Sequence, residues 1–471
     1  MRSATTGGRS ARRVLAMLLV ALASPLLEWA TSSGAYVNAA LAVEEDAASG
    51  SRGLIVTRDV AEDAVLLTLP AELQLGVDAA TRDPATRKML DATPPALWSA
   101  RLGLALCAEK QSDSSRFSPY LNTLPSTLDC CLAPGYAEDE RSAALTAWPP
   151  TAARATDMRR ALRSLHAKLT RVASDDASDA HSGDGTTAAA PTFEELAWAT
   201  SIVGSRAYRV RGGPGEKVED AARLLPIADM VNYALPEAAN AQLRNAPKRG
   251  GTIGAPETTD DPYAVSLYAC RPMKAGDEVL VDYGFGKHLS NERLLLEYGF
   301  VLPLDVHQRE TCELPFGAIA VGLAAVQAAA TAEEEQPLSN DLVDALGRRQ
   351  QALLSQLGDV EAAGLAFDAE GTPTEPTLAL ALVLTAQEPA ELAPSTVAEL
   401  VAEASGAGAQ SGLTARARLA LRAVAAEALG HLDAALAEDA AAEDAGFEAV
   451  AHAYCLSRRQ VLAQACEVLG D

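Results

Sequence analysis

Two short segments near the middle of the chain carry side chains that could do chemistry. Residues 278–283 form an apolar run between two glycine-containing turns, which predicts a buried strand that ends in Tyr283. Residues 291–298 have apolar side chains at helical spacing, with Ser290 as the expected N-cap and Gly299 as the stop. A strand end followed by a loop and a capped helix would place a phenol and backbone carbonyls where a ligand can approach.

Five short motifs, taken in order, resemble the SET domain of the Rubisco large-subunit lysine methyltransferase-like family. They are Arg-Gly-Leu at residues 52–54, Ser-Arg-Ala-Tyr at 205–208, Pro-Ile-Ala-Asp-Met-Val-Asn at 226–232, Gly-Asp-Glu-Val-Leu-Val-Asp-Tyr-Gly at 276–284 and Asn-Glu-Arg-Leu-Leu-Leu-Glu-Tyr-Gly-Phe at 291–300. Each motif is short, but five in the family's order are hard to produce by accident. The resemblance therefore covers the chain from residue 52 to residue 300.

The resemblance implies an α+β fold followed by a helical domain. A SET β-core, residues 46–303, would be interrupted by a helical insert at about 71–200. Residues 304–471 are rich in Ala, Leu, Glu and Val at helical spacing, and the segment 454–462 is similar to the family's C-terminal substrate-binding domain. The sequence thus predicts an all-α domain with helices at 316–330, 339–357, 374–386, 396–404, 413–437 and 447–469.

S-adenosyl-L-methionine is the cofactor that the resemblance implies. Tyr283 and Tyr298 match the family's channel tyrosines and are predicted to be catalytic. The predicted cofactor-binding residues are Arg52, Gly53, Leu54, Arg206, Asn232, Tyr233 and Tyr283. An arginine can hold the methionyl carboxylate as a charge-assisted fork, an asparagine amide both donates and accepts, and a glycine permits close approach of the backbone.

Two positions depart from the family pattern. The family usually has Asn-His-Ser where this chain has Asn232-Tyr233-Ala234, and it often has an acidic residue where this chain has Gly50. Tyrosine cannot reproduce a close imidazole contact, so the first departure predicts weaker cofactor binding. Asp229, in the same motif, is expected to be a structural hydrogen-bond acceptor rather than a base.

The expected function is S-adenosylmethionine-dependent protein-lysine N-methylation of a non-histone protein. A relative of this family methylates a histidine of actin, so a histidine acceptor is an alternative. A catalytically silent SET-fold binding module is a second alternative from another class. The presence of Arg206, Asn232, Tyr283 and Tyr298 argues against a decayed site, whereas Tyr233 argues mildly for one.

Composition argues against several other classes of protein. Lys and Arg number 39 against 63 Asp and Glu, a net charge of −24, and so acidic a surface repels the phosphates of nucleic acid. The seven cysteines contain no Cys-x-x-Cys pair and the six histidines show no metal-ligand spacing, so no metal is expected. The expected partner is a lysine-bearing protein segment, and the chain is expected to be a monomer.

Residues 1–45 differ in composition from the rest of the chain. Four arginines precede an apolar segment at 14–27, no acid occurs before Glu28, and Ser, Thr and Ala dominate the remainder up to Ala42. This pattern predicts a removable targeting peptide, with a plastid (chloroplast) as the first choice and the secretory pathway or the cytoplasm as alternatives. The apolar segment is short and contains Pro25, so no stable membrane insertion is expected.

Overall fold

The computed structural model describes residues 24–45, 52–80, 83–133, 143–179, 189–210, 221–245, 261–284, 286–307, 309–330, 339–359, 364–406, 411–438 and 447–470. The chain divides into two compact units. The first comprises Met1–Tyr136, Asp157–Leu289 and Leu296–Tyr298, and the second comprises Ala137–Thr156, Ser290–Leu295 and Gly299–Asp471.

Strands lie mainly in the first unit and helices occur in both. The described strands are β1 Tyr36–Val37, β2 Leu41–Glu45, β3 Arg52–Val56, β4 Val65–Leu69, β5 Ala207–Arg209, β6 Ala222–Leu224, β7 Asn232–Tyr233, β8 Ala241–Asn245, β9 Val265–Ala269, β10 Leu280–Val281, β11 Thr311–Leu314 and β12 Leu365–Asp368. The described helices are α1 Pro25–Ser32, α2 Val77–Ala80, α3 Pro84–Ala92, α4 Trp98–Gln111, α5 Ser118–Leu121, α6 Ala143–Thr146, α7 Pro149–Asp179, α8 Phe193–Arg206, α9 Asn291–Arg293, α10 Ile319–Ala330, α11 Asn340–Leu354, α12 Glu375–Thr385, α13 Val397–Ser405, α14 Gly412–Glu438 and α15 Phe447–Val468.

A six-stranded sheet with the order β1-β4-β9-β8-β10-β7 forms the centre of the first unit. β10 runs parallel to both β7 and β8, and the other pairs are antiparallel. Two further antiparallel ladders, β2-β3 and β5-β6, stand outside this sheet. In the β7-β10 pair, Leu280 lies opposite Asn232, so that two of the sequence motifs become neighbours in space.

Residues 53–69, whose pattern is consistent with a β-hairpin, do not form one. β3 pairs with β2, whereas β4 pairs with β1 and β9. The connection between β3 and β4 packs instead against residues 269–277, where Val60 bridges Met273 and Lys274 lies 2.7 Å from Asp59. The hairpin interpretation is wrong, because both strands pair with strands elsewhere in the chain and not with each other.

The helical part of the first unit packs around α4 and α8. α8 begins with a capping box in which the Thr192 side chain accepts from the Glu195 amide and the Glu195 carboxylate accepts from the Thr192 amide. Gly103 of α4 lies close to α8, since a Cβ there would stand 3.2 Å from the Thr200 amide nitrogen. This close packing fixes the end of α8, where Arg206 lies.

Residues 25–45 belong to the folded first unit. α1 begins with Pro25 at its first position, and the side chains of Leu26, Leu27 and Ala30 are buried in the core. β2 pairs with β3 along five residues. The expected boundary of the targeting peptide at residue 45 therefore cuts through folded elements, and residues 1–23 lie outside the described part.

The second unit is helical, as expected, with one small addition. Each of the six helices predicted after residue 304 is present within three residues of its expected bounds. The addition is the antiparallel ladder of β11 and β12, whose Cys312 and Phe367 side chains are fully buried. None of the helices in the described ranges is both long and apolar enough to cross a membrane.

Candidate active site

Three tyrosines singled out in the sequence converge in the first unit. The ring of Tyr283 stacks on Tyr298, with centroids 5.1 Å apart and planes inclined by 26°. The ring of Tyr233 lies on Tyr283 at 5.2 Å and 51°. The Tyr283 hydroxyl donates a hydrogen bond of 2.7 Å to the carbonyl of Val231, one residue before Asn232. The site therefore has an aromatic wall whose central phenol is held by the backbone of the neighbouring motif.

Local sequence explains how the aromatic wall is positioned. Tyr283 follows β10, whose parallel register with β7 brings residues 231–233 alongside. Tyr298 ends a π-helical turn, Leu294–Tyr298, that continues α9, and Gly299 then adopts a left-handed conformation with φ of 77°. Ser290 caps α9 as predicted, because its hydroxyl accepts from the Arg293 amide. Single π turns of this kind are frequent at functional sites.

The phenols of the site stay neutral near physiological pH. Burial raises the pKa of Tyr283 well above its usual value, against the opposing charge of Arg206. Burial also raises the pKa of Tyr233 to about 12, and the nearby Asp282 carboxylate adds to the effect. Tyr208 of β5 is a fourth phenol with a raised pKa, first because of burial and then because of Tyr283, Asp229 and Tyr298. These hydroxyls can orient polar groups without acting as bases.

The partly exposed Arg206 and the buried Asp229 form an ion pair beside the aromatic wall. The Arg206 guanidinium donates to the Asp229 carbonyl at 2.9 Å and lies 3.7 Å from its carboxylate, whose side chain is 1% exposed. Tyr120 of α5 donates a 2.7 Å hydrogen bond to the same carboxylate. Nε of Arg206 and Oδ1 of Asp229 are buried and have no hydrogen-bond partner in the described part of the chain. One donor and one acceptor are thus left for a polar ligand.

Asn232, Gly53 and Glu278 meet on the other side of the site. The Asn232 amide donates to Glu278 at 2.7 Å and to the Arg52 carbonyl at 3.3 Å. A Cβ on Gly53 would lie 2.8 Å from Glu278 Oε1 and 2.9 Å from Asn232 Nδ2. Only glycine leaves these two side chains in place, which agrees with the close approach expected of this position.

Arg52 and Leu54 occupy different environments from that of Gly53. The Arg52 guanidinium donates to the carbonyl of Thr123 in the insert, so its side chain is already engaged by protein. Leu54 is fully buried and its carbonyl accepts from the Val279 amide at 2.7 Å. Gly50, the second departure from the family pattern, lies outside the described residues.

Sequence reasoning missed the roles of Tyr120, Tyr208 and Glu278. Tyr120 lies outside the five motifs, and Glu278 was counted only as part of a strand. Tyr208 belongs to the Ser-Arg-Ala-Tyr motif, which was the available signal for it. Asp229 accepts a hydrogen bond, as expected. In the described ranges, no group of His, Cys, Asp and Glu side chains is arranged to hold a metal ion.

A cavity of about 430 Å³ opens beside Tyr208. Its walls come from β8, β10 and the turn after Tyr283, and include Leu243, Val281 and Asp282. Tyr208 also interacts electrostatically with Tyr283 and Tyr298. Tyr208 therefore lines this cavity and also interacts with the neighbouring tyrosines. Tyr208, Tyr233, Tyr283 and Tyr298 together are called the tyrosine cluster.

Curated relatives match part of the chain. No protein-family model matches it. Actin-histidine N-methyltransferase of Mus musculus is 25% identical over 297 residues, which cover 61% of this chain and 44% of that protein. The Rattus norvegicus protein of the same name is 25% identical over 299 residues with the same coverage. The match spans less than half the length of these relatives.

Solved structures match almost the whole chain. Rubisco LSMT bound to AdoMet has a TM-score of 0.59 and 18% identity, and the match covers 95% of this chain and 92% of that one. The SET domain of LSMT bound to lysine and AdoHcy gives a TM-score of 0.58 and 18% identity, over 94% of this chain and 90% of that one. The expected fold is confirmed: the chain has a SET-domain fold of the Rubisco LSMT type.

Proposed function

We propose that this protein is an S-adenosylmethionine-dependent protein N-methyltransferase that modifies a lysine of a non-histone protein. The observation that carries the proposal is the convergence of Tyr208, Tyr283 and Tyr298 beside the Arg206–Asp229 pair. The similarity to actin-histidine N-methyltransferases and the shared fold with LSMT support the reaction class. The finer assignment to lysine depends on the chemistry of the site.

The residues present fit the methionyl part of the proposed cofactor. With respect to the described residues, Arg206 retains an unpaired buried Nε donor that suits a carboxylate, and Asp229 retains an unpaired Oδ1 acceptor that suits an ammonium group. The absence of a side chain at Gly53 lets Glu278 and Asn232 lie close to its backbone. When bound, the cofactor supplies a methyl group: the nitrogen lone pair of the acceptor forms the new N–C bond, the S–C bonding pair stays on sulfur, and the amine releases one proton.

The chain's own task is to orient the acceptor and to favour its neutral form. A lysine has a pKa of about 10.4, so presenting it as a neutral amine at a pH of about 7.5 costs roughly 4 kcal/mol. Aromatic walls that exclude water lower this pKa, because they disfavour the charged form. Tyr283 donates its hydroxyl hydrogen to Val231, which leaves its oxygen lone pairs free to orient the amine.

Lysine suits this site better than histidine. An imidazole acceptor needs a hydrogen-bonding partner for its second nitrogen, which fixes the neutral tautomer. Oδ2 of Asp229 already accepts from Tyr120 and faces Arg206, and its Oδ1 is the atom proposed above for the cofactor's ammonium group. The rings that lie on Tyr283 are those of Tyr233 and Tyr298. A flexible amine needs only the apolar channel. Histidine remains the second candidate because the curated relatives are named for it.

The test is to incubate the protein with radiolabelled S-adenosylmethionine and plastid or whole-cell extract, and then to identify the labelled residue by mass spectrometry. Label on lysine, lost with the Tyr283→Phe variant, supports the proposal. Label on histidine supports the second candidate. If the protein binds neither S-adenosylmethionine nor its demethylated product in calorimetry, the enzyme proposal fails and a silent binding module is the better description.

We also propose a plastid location, with the targeting segment ending before α1. The arginine-rich and acid-free start of the chain supports it. Fusion of residues 1–23 to a fluorescent protein should direct the fusion to plastids, and residues 24–45 alone should not. Fluorescence confined to the secretory pathway or the cytoplasm would contradict the proposal.

A further inference from the structure

The carboxylate of Asp229 is the most deeply enclosed charge near the tyrosine cluster. Its side chain is 1% exposed. Among the described residues, the Tyr120 hydroxyl is its one side-chain hydrogen-bond donor, at 2.7 Å. Its other oxygen, Oδ1, has no hydrogen-bond partner there. A buried carboxylate with so little solvation keeps its charge only if the remaining contacts hold it.

Opposing effects act on this charge. Burial raises the pKa of Asp229, whereas Arg206, the Tyr120 hydrogen bond and Arg52 lower it. The groups that face Asp229 come from five elements: Arg206 at the end of α8, Tyr120 on α5, Arg52 on β3, Tyr208 on β5 and Tyr283 after β10. Arg52 already donates to the Thr123 carbonyl. The hydrogen bond from Tyr120 is therefore the contact that can be removed with the least disturbance.

Charge balance in the site has a consequence for the proposed cofactor. S-adenosylmethionine carries a sulfonium charge, and its demethylated product, S-adenosylhomocysteine, does not. With Asp229 ionised, the Arg206 charge is balanced and a cationic ligand meets no net repulsion. With Asp229 protonated, an unbalanced guanidinium opposes the sulfonium in an environment of low dielectric constant. Both ligands carry the ammonium group proposed for Asp229 and would lose that contact alike, but only the cofactor has a sulfonium that the unbalanced guanidinium opposes.

On the basis of the proposed function, we infer that Tyr120 keeps Asp229 ionised and thereby makes the site prefer the cationic cofactor over its neutral product. Tyr120 is a positioning residue, because it acts through Asp229. The preference would limit inhibition by the product after each turnover. The helical insert, to which α5 belongs, would contribute to cofactor selection through this hydroxyl.

Calorimetry with both ligands tests the inference. Dissociation constants for S-adenosylmethionine and S-adenosylhomocysteine are measured for the intact chain and for the Tyr120→Phe, Asp229→Asn and Tyr454→Phe variants, from about pH 6 to about pH 9. Tyr454→Phe is the matched control, since it also removes a buried hydroxyl that bonds a side chain, Thr151 at 3.0 Å, but in the second unit. Thermal unfolding verifies that each variant folds.

Tyr120→Phe should raise the ratio of the two dissociation constants, cofactor over product, by about fivefold or more at the acid end of this range. The direction of the pH dependence follows from the linkage between the protonation of Asp229 and ligand binding. Loss of the hydrogen bond raises the pKa of Asp229, so the charge is lost as the pH falls, and the normal ratio returns as the pH rises. Asp229→Asn should raise the ratio at every pH, and Tyr454→Phe should leave it unchanged.

The inference is overturned if Tyr120→Phe weakens the binding of both ligands equally. It is also overturned if the ratio of dissociation constants is unchanged in both Tyr120→Phe and Asp229→Asn. In either case the proposed function still stands. If Asp229→Asn does not fold, the pH profile of Tyr120→Phe alone decides. If the unsubstituted chain binds neither ligand, the proposed function fails and this inference fails with it.

Discussion

At the scale of single residues, the hydroxyl and the ring of Tyr283 have different contacts. The hydroxyl donates to Val231, and the ring contacts both Tyr233 and Tyr298. Replacement by phenylalanine keeps both ring contacts and removes only the oriented oxygen. The two contributions of this residue, to the wall and to the reacting amine, can therefore be separated.

Tyr283→Phe should lower kcat far more than it weakens S-adenosylmethionine binding. Loss of one oriented polar contact at a reacting group commonly adds ~2–4 kcal/mol to the barrier, a rate loss of about 30-fold to about 900-fold. Single-turnover rates and calorimetric dissociation constants measure the two effects. Tyr268→Phe, a buried tyrosine of β9, is the control and should keep its rate. Equal rates for the Tyr283 and Tyr268 variants would remove Tyr283 from the catalytic residues.

Tyr233 offers a second test at this scale, because it stands where the resemblance has a histidine. Tyr233→His should tighten the cofactor dissociation constant several-fold, by about one hydrogen bond or ~1 kcal/mol, with little change in stability. Calorimetry and thermal unfolding measure the two quantities. Weaker binding would mean that the ring contact with Tyr283, at 5.2 Å, matters more than an imidazole contact.

The site residues that could be predicted from the sequence are those inside contiguous motifs. Tyr283, Tyr298, Arg206 and Asn232 each lie in such a motif, and the structure brings their surroundings together. Tyr120 and Glu278 were missed because their meaning depends on partners far away in the chain. Tyr120 and Asp229 are 109 residues apart, and Glu278 and Asn232 are 46 apart. No local pattern reveals such pairs.

At the scale of elements, β3 places Gly53 against the side chains of Asn232 and Glu278. These two residues lie at the start of β7 and just before β10. Glu278 bridges Ile55 of β3, and its carboxylate accepts from Asn232 at the start of β7. The small space next to the Gly53 Cα is therefore limited by side chains from two other segments, Glu278 and Asn232. Filling this space should move the carboxamide of Asn232.

Gly53→Ala should weaken cofactor binding with only a modest loss of stability. The new methyl would contact Glu278 Oε1 and Asn232 Nδ2 at less than 3.0 Å, so one of these side chains must shift. We expect a loss in affinity on the order of one hydrogen bond, ~1 kcal/mol. Gly347→Ala is the control, because no atom lies within 4 Å of its added Cβ and alanine favours helix α11. Unchanged cofactor affinity in Gly53→Ala would contradict the proposed role.

Helices were easier to predict than strand pairing. The six helices after residue 304 follow from apolar spacing and from glycine and proline breaks, which are local signals. The partner of β3 could not be inferred, because β2 lies in a segment that its composition assigned to a targeting peptide. Pairing partners depend on the whole sheet, and the short strands β7 and β10 carry little pattern of their own.

At the scale of the whole molecule, the division into two units is not contiguous in sequence. The composition shift predicted a boundary at residues 303 and 304, whereas the second unit also includes Ala137–Thr156 and Ser290–Leu295. These pieces make long-range contacts within that unit. The Thr151 hydroxyl donates to Glu292 at 2.7 Å, and the backbone N–H of Asn291 donates to Glu310 at 2.8 Å. Composition marks only the helical majority of the unit, so its early pieces cannot be recognised from the sequence.

A buried ion pair joins the last helix of the second unit to the residue that precedes β11. Arg458 of α15 and Glu310 are 2% and 1% exposed, and their side chains form a hydrogen-bonded salt bridge. Arg458 also donates to the carbonyl of Thr311, and His307 lies 3.1 Å from the same glutamate. Removal of one partner from such a pair leaves an uncompensated charge in the interior, which is far more costly than loss of an exposed pair.

Arg458→Met should therefore lower the free energy of unfolding by about 3–5 kcal/mol, measured by urea denaturation. The neighbouring residue provides the matched control: Arg459 pairs with Asp433 at 2.5 Å, but the two side chains are 48% and 44% exposed. Arg459→Met should cost no more than about 1 kcal/mol. Adding Glu310→Gln to Arg458→Met should recover part of the loss, because the unpaired carboxylate is then absent. Similar losses for the two single variants would show that the buried pair contributes no more than a surface one.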